Sequence, residues 1–511
     1  MKPITSSKTR RQFLQTGAAG LAGLALTKSS SAAPKQAAKP NILWIMSDEH
    51  NATVAGCYGN KLASTPNIDS LAANGITFDR HYCNSPLCVP SRASITAGKY
   101  VSRVDVWGNT SELPSADIAS LPRVMTAAGY DSVLCGKQHY DYTRRYGFTE
   151  IGGNMNNNYK TGKGGRRNPD QTTQKELSPR FNQFHPGDHG ASVEHDKRVT
   201  AGTVDFLTHR KGADKPFFLY AGYLAPHFPL IVPDPFYQKA KGKAGMPTIP
   251  AGFLDTLPLN YKLLRASFEE IGVPDDTVQR GRELYYGLTN WVDNEFGKVL
   301  AALRSNPAIA ANTVIIYSSD HGENMGEHGM WWKSCMYDTA ARVPLVISFP
   351  PRWAKAERRV ATSSHLDLVQ TVAAIGGAKT PDDWNGESML AWMDSPKTKW
   401  KDYAVSEYYA HGMGSGYVMA RSGDWKYVYH NPIDAQHPDE RQLFNLADDP
   451  AEFHNLAALP EHGARIADMH ARMVKEVGGD PNETEKRSRL QLAAGYHRTD
   501  PRPAGAADEA S

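Results

Sequence analysis

The feature that most narrows the fold is a short, unbroken apolar run, Asn41-Ile42-Leu43-Trp44-Ile45-Met46, that stops abruptly at Ser47-Asp48-Glu49-His50. A strand solvated on one face alternates apolar and polar residues, whereas a run that is apolar throughout is covered on both faces, as in a parallel sheet. Runs of the same character recur at 217–220, 314–317 and 343–348, and they alternate with helical periodicity at 68–73, 121–128 and 284–303. That alternation predicts an α/β fold with a mainly parallel sheet, in which polar residues just beyond the strand ends converge on one edge. Asp48, His227 and Asp320 each follow one of these runs within a few residues.

Two polar, Gly- and Pro-rich stretches, 159–190 and 232–257, read as long surface loops of the kind that cover functional sites. From about residue 391 the pattern changes to short segments at 403–409, 417–421 and 425–429, which predict a small antiparallel sheet. The expected division is a leader over 1–33, a main α/β domain over 40–390, a smaller α+β domain over 391–498 and a disordered tail over 499–511.

The leader reads Thr9-Arg10-Arg11-Gln12-Phe13-Leu14, then an apolar stretch over 17–26 and small residues over 29–33. This is the order of a twin-arginine export signal, cut near Ala32 or Ala33. The apolar part is shorter than the roughly 20 residues that cross a bilayer, so no stable membrane span is expected, and the mature chain belongs in the periplasm or outside the cell. Lys2, Lys8, Arg10, Arg11 and Lys28 leave with the leader, which turns 57 basic residues into 52 against 54 acidic ones. A near-neutral surface offers no bulk attraction to nucleic acid. Five cysteines, at 57, 83, 88, 135 and 335, are too few to staple 511 residues, and no Cys-x-x-Cys occurs. Apart from Cys88 they are expected as buried thiols or in one or two disulfides.

The densest local signal is Cys88-Val89-Pro90-Ser91-Arg92-Ala93-Ser94, continuing to Ala97-Gly98-Lys99. It resembles the signature of the sulfatase family, Cys-x-Pro-Ser-Arg followed by glycine and a basic residue, with Ala97 and Lys99 where Thr and Arg are commoner. Further segments resemble that family in its own order. They are Asp48-Glu49, Gly136-Lys137-Gln138-His139, Ala225-Pro226-His227-Phe228-Pro229, and Asp320-His321-Gly322-Glu323 through Lys333 to Arg342-Val343-Pro344-Leu345. Leu443-Phe444-Asn445-Leu446, with Asp449-Pro450 and Asn455-Leu456, resembles the family's C-terminal motif. Each match is weak alone, but their joint order across 40–456 identifies the chain as a sulfatase of the alkaline-phosphatase-like superfamily.

The resemblance implies a large mixed, mostly parallel sheet flanked by helices, with a smaller C-terminal α+β domain. It implies hydrolysis of sulfate esters by formylglycine (3-oxoalanine), made from Cys88 by a formylglycine-generating maturation enzyme. The aldehyde hydrate carries two hydroxyls, one to attack sulfur and one to expel sulfate later, which divides one hard displacement into two easier steps. The implied metal site is one Ca2+ on Asp48, Glu49, Asp320, His321 and residue 88. Glu49 and His321 stand where Asp and Asn are frequent, and the imidazole keeps Mn2+ and Zn2+ open. Arg92, Lys137, Lys333, His139 and His227 would supply positive charge. Asp320 would help deprotonate the attacking hydroxyl, and His227, assisted by Lys333, would protonate the leaving alcohol. His139 would be the base that releases sulfate, a role suited to a group titrating near neutrality.

Asn109, in Val106-Trp107-Gly108-Asn109-Thr110, sits as in the choline-sulfatase and phosphonate-monoesterase branches, where an Asn touches the anion; a turn Asn beside Gly reads equally well. The favoured substrate is a sulfated small molecule or glycan, most simply a carbohydrate. Choline sulfate is an alternative if Trp107, Tyr140 and Trp331 form an aromatic cage. Phosphonate or phosphate esters are another, and a non-enzymatic glycan-binding relative with an unconverted Cys88 is the third.

Overall fold

The structure is a computed structural model, and it describes residues 39–141, 143–156 and 165–495. The expected leader and disordered tail lie outside these residues. The main sheet has eight strands: β1 (Asn41–Asp48), β2 (Gly75–Tyr82), β3 (Asp131–Gly136), β4 (Thr149–Ile151), β5 (Phe217–Pro226), β6 (Thr313–Ser319), β7 (Leu345–Ser348) and β8 (Glu357–Ser364). Their spatial order is β8-β2-β7-β6-β1-β5-β3-β4. All neighbours are parallel except β7, which runs antiparallel to both β2 and β6.

β1 is buried at every position, as its uninterrupted apolar run requires. Because side chains alternate across a sheet, Leu43 and Ile45 enter one core and Ile42, Trp44 and Met46 the other. The first core contains Val199 of helix α3 (Ala191–His209) and Leu284 and Trp291 of α4 (Asp275–Arg304), joined by Ile68 and Leu71 of α1 (Pro66–Ala73). The second contains residues of α2 (Cys88–Ala97) and Leu368, Val369 and Val372 of α5 (His365–Ile375).

A second sheet, β9 (Tyr403–Tyr408), β10 (Tyr417–Ser422), β11 (Trp425–His430) and β12 (Glu440–Asn445), is an antiparallel meander in sequence order. One face packs on α6 (Gly463–Val477) through Ile466, Met469 and Met473, whose spacing of three and four places them on one helical stripe. The other face, with Tyr408, Tyr417, Met419 and Phe444, packs on Tyr82, Leu87 and Tyr337 of the main body. A last helix, α7 (Pro481–Ala494), follows.

The stretch 232–257 departs from the expected loop. It carries the helix Asp234–Ala240 and a 3-10 turn at Phe253–Thr256, because Pro235 opens a helical turn and Tyr237 and Ala240 both face inward. The described part of 159–190 holds a 3-10 turn at Pro179–Gln183 and a two-residue strand paired with Ile231–Val232. All five cysteines are free thiols. Among the described residues, no helix is long and apolar enough to cross a membrane.

Candidate active site

The sheet order puts β6, β1, β5 and β3 side by side and parallel, so their carboxyl ends share one edge. Asp320 and His321 follow β6, Asp48 ends β1 with Glu49 next, His227 follows β5, and Lys137 and His139 follow β3. The backbones are held close. A Cβ on Gly222 of β5 would meet the Lys137 carbonyl oxygen at 1.9 Å, so only glycine lets the Lys137 turn approach.

Across this edge lies the start of α2, buried along its whole length. Cys88 Sγ is 3.1 Å from His321 Nε2 and 3.6 Å from Asp48 Oδ1. Ser91 Oγ donates to the Asp320 carbonyl at 2.7 Å. One turn beyond Cys88, Arg92 donates from Nε to Asp320 Oδ2 at 2.7 Å, from Nη2 to Asp48 Oδ2 at 3.0 Å and from Nη1 to the Lys137 carbonyl at 2.8 Å. All three arms of the guanidinium are thus engaged with protein, and Arg92 fixes and neutralises the two carboxylates from behind. Lys137 Nζ adds a contact of 2.6 Å to Asp48 Oδ2. Burial alone would raise the Asp48 pKa, but Lys137, His227, Arg92 and His321 outweigh it and hold the carboxyl well below its usual range.

Oxygen, nitrogen and sulfur atoms of Asp48, Cys88, Asp320 and His321 lie within 4.8 Å of one another, and those of Asp48, Glu49 and His227 form a second such group. Asp48 belongs to both. The donor set suits a cation: Glu49 Oε1 is buried with no hydrogen-bond partner among the described residues, and His321 donates from Nδ1 to the Gly322 carbonyl at 3.0 Å, which leaves Nε2 to face an ion. Burial disfavours the imidazolium of His321, yet Asp320 and Cys88 raise its pKa to about 9, so an ion arriving here would have to displace a proton.

Glu49 Oε2 also faces Lys333 Nζ at 3.1 Å and His227 Nε2 at 3.2 Å, and the lysine and imidazole nitrogens are 2.7 Å apart. His227 Nδ1 is 2.5 Å from the Phe228 carbonyl, which can only accept, so that nitrogen carries the hydrogen and Nε2 receives one from Lys333. Burial, then Lys333, pushes the His227 pKa well down. The Lys333 pKa is raised, because Cys88, Glu49 and Asp48 outweigh its burial. The shared proton therefore resides on the lysine. His139 has its Nδ1 without a hydrogen-bond partner among the described residues. Burial and Lys137 push its pKa well below the usual value, so it is neutral across the neutral range instead of titrating within it as expected. A neutral imidazole is the proton-accepting form.

Glu49, His139, Trp332 and Ser334 have φ between 59° and 78°, a left-handed backbone that costs residues with a side chain about 1–2 kcal/mol each. These strained residues flank or carry the reactive groups, the usual place for such strain.

Asn109 Oδ1 accepts from the Val89 N–H at 3.1 Å, which satisfies a free donor in the first turn of α2 and seats Asn109 one residue from Cys88. Trp107, Tyr140 and Trp331 do not form a cage. All three are buried, in three different hydrophobic clusters. Three supporting residues have no sequence signal. Asp196 of α3 accepts from the backbone N–H groups of Leu224 and Ala225 at 2.7 and 2.8 Å and so sets the end of β5. Asn156 bridges Gly136 and Gln138, fixing the turn that presents Lys137. Arg180 lies over the ring of Phe228.

Comparison with known proteins agrees with this site. The Sulfatase family profile matches residues 40–378, and that for the C-terminal region of N-sulphoglucosamine sulphohydrolase matches 326–478. The chain is 31% identical over 448 residues to an uncharacterised sulfatase of Escherichia coli K12, covering 85% of this chain and 86% of that one. It is 28% identical over 443 residues to choline-sulfatase of Rhizobium meliloti, covering 83% of each. The phosphonate monoester hydrolase structure of Agrobacterium radiobacter aligns with a TM-score of 0.66 at 21% identity, over 86% of this chain and 96% of that one, and shares the fold. With the family profile spanning most of the main sheet and the Cys88 helix facing its strand ends, the chain belongs to the sulfatase family of sulfuric ester hydrolases.

Proposed function

We propose that this is an exported, calcium-dependent sulfatase that acts on sulfate esters of carbohydrates through a formylglycine made from Cys88. One observation carries the reading: a buried cysteine in the first turn of α2 faces the Asp48, Asp320 and His321 cluster, with the Lys333–His227 pair on the same sheet edge.

In the structure the Cys88 sulfur stands where the oxygens of the hydrated aldehyde would lie. That hydrate would supply two hydroxyls on one carbon, and Asp48, Glu49, Asp320 and His321 would hold a hard dication, which would supply Lewis-acid polarisation beside them. The protein's own groups do the rest. Lys137 and Lys333 set preorganised positive charge where an anionic ester must bind, in a site shielded from water. Lys333 holds the proton that His227 Nε2 shares, and the pair is placed to deliver it to the departing oxygen. Neutral His139 accepts a proton when sulfate is released. A carbohydrate substrate is supported by the C-terminal match to an amino-sugar sulfohydrolase region and by the absence of a cage from Trp107, Tyr140 and Trp331.

The test combines peptide mass and turnover. Active enzyme should carry an aldehyde at residue 88 and hydrolyse 4-nitrophenyl sulfate faster than 4-nitrophenyl phosphate, and sulfated sugars faster than choline sulfate. Active material with an untouched thiol overturns the mechanism, and a reversed preference overturns the substrate. Export is tested by N-terminal sequencing of chain recovered from the periplasm or medium; cytoplasmic chain retaining residues 1–33 would contradict it.

A further inference from the structure

We propose that Arg180 is a specificity-determining residue that binds a second anionic group of the substrate, beside the sulfate that is cleaved. This rests on the reading of the site given above and extends it to the substrate's other substituents.

Arg180 lies in the 3-10 turn Pro179–Gln183, within the polar stretch 159–190. Its guanidinium carbon is 4.4 Å from the centre of the Phe228 ring, 5.6 Å from that of Trp332 and 5.9 Å from that of Phe268. The Phe228 ring is in turn stacked on His227, with ring centres 4.4 Å apart. Two short steps through one aromatic ring therefore join the guanidinium to the imidazole of the leaving-group pair. Lys333 Nζ lies 5.4 Å from the same ring, so Phe228 touches all three cationic or proton-carrying groups.

No carboxylate of the described residues lies within ion-pair distance of Arg180. Among the described residues it donates no hydrogen bond and forms no ion pair. Glu49, Glu270 and Glu323 attract it without coming within ion-pair distance, and one oxygen of each is bound elsewhere: Glu49 Oε2 to Lys333, Glu270 Oε2 to the Trp331 N–H and Glu323 Oε1 to the Met325 and Trp332 N–H groups. Burial accordingly depresses its pKa. A half-buried guanidinium has five donors in a planar fork that matches a carboxylate or sulfate. The three aromatic rings hold the group in place without using its donors. A cation held over three rings, half-buried and with its donors open beside the leaving-group pair, is preorganised for a ligand. A second sulfate or a carboxylate on the sugar has the charge and geometry to fill it.

The experiment compares wild type, Arg180→Gln and Arg180→Lys, as matured holoenzyme, on phenyl sulfates unsubstituted or bearing a carboxylate at the 2-, 3- or 4-position. For at least one isomer, Arg180→Gln should lower kcat/KM at least tenfold more than for the unsubstituted ester, mainly through KM, with partial rescue in Arg180→Lys. Equal losses on all esters would mean that Arg180 only packs on Phe228, and would overturn the proposal. So would losses confined to kcat. If wild-type enzyme turns over none of the esters, the sulfatase reading itself fails, a distinct outcome.

Discussion

At the scale of single residues, burial sets protonation more strongly than residue type does. His139 and His227 are histidines that do not titrate near neutrality, because desolvation and adjacent lysines disfavour a second positive charge. Glu407 is the converse case, and it is isolated enough to test. Its carboxyl is fully buried, accepts the Ser102 N–H at 3.0 Å, and burial raises its pKa from 4.5 to about 7. The folded state therefore holds the proton to higher pH than the unfolded chain, and this stabilisation is full below 4.5 and is lost as pH rises through 7. Glu407→Gln keeps an acceptor and cannot ionise, so its stability relative to wild type should grow by about 3 kcal/mol between pH 4 and pH 8. Urea unfolding of both proteins across that range measures it, and a pH-independent difference would refute the assignment. Asn109 marks the limit of reading residues from sequence: an anion contact and a turn beside Gly108 read equally well, and only the structure shows its side-chain oxygen accepting the Val89 N–H at the start of α2.

At the scale of elements, α2 is fastened at both ends and along its length, which fixes the group at its start. Its far end is Gly98, with φ 65°, where an added Cβ would lie 2.3 Å from the indole of buried Trp384. Gly98→Ala should cost about 3 kcal/mol, from left-handed strain and from overlap with the Trp384 ring. Chemical denaturation checks this; a loss below 1 kcal/mol would mean that Trp384 yields. The unbroken apolar run of β1 and the helical periodicity of the 284–303 part of α4 were legible. The helix at Asp234–Ala240 was not, because seven residues with only Tyr237 and Ala240 buried carry too little periodicity to separate it from a polar loop. β12 is similar: Leu443-Phe444 stood out as a motif, whereas its strand character depends on pairing with β11.

At the scale of the whole molecule, strand order converts residues hundreds of positions apart into one charged cluster. Three carboxylates and two imidazoles gather on one buried edge, and Arg92 and Lys137 offset only part of that charge, which leaves an arrangement suited to a cation. An ion bound to the folded chain alone adds about 2.7 kcal/mol at a hundred times its Kd. Chelation of the matured enzyme should therefore lower the melting temperature and abolish turnover, with calcium restoring both; a melting temperature indifferent to chelator would refute the metal site. The apolar runs and the polar residues that end them were written in the chain itself, because a doubly covered strand demands apolar side chains at every position and the chemistry begins where that demand stops. Which ends became neighbours, where the Lys333 proton rests and which rings Arg180 lies over were settled only by folding. Sheet order, desolvation and pair distances are sums over contacts from the whole chain, and no local stretch contains them.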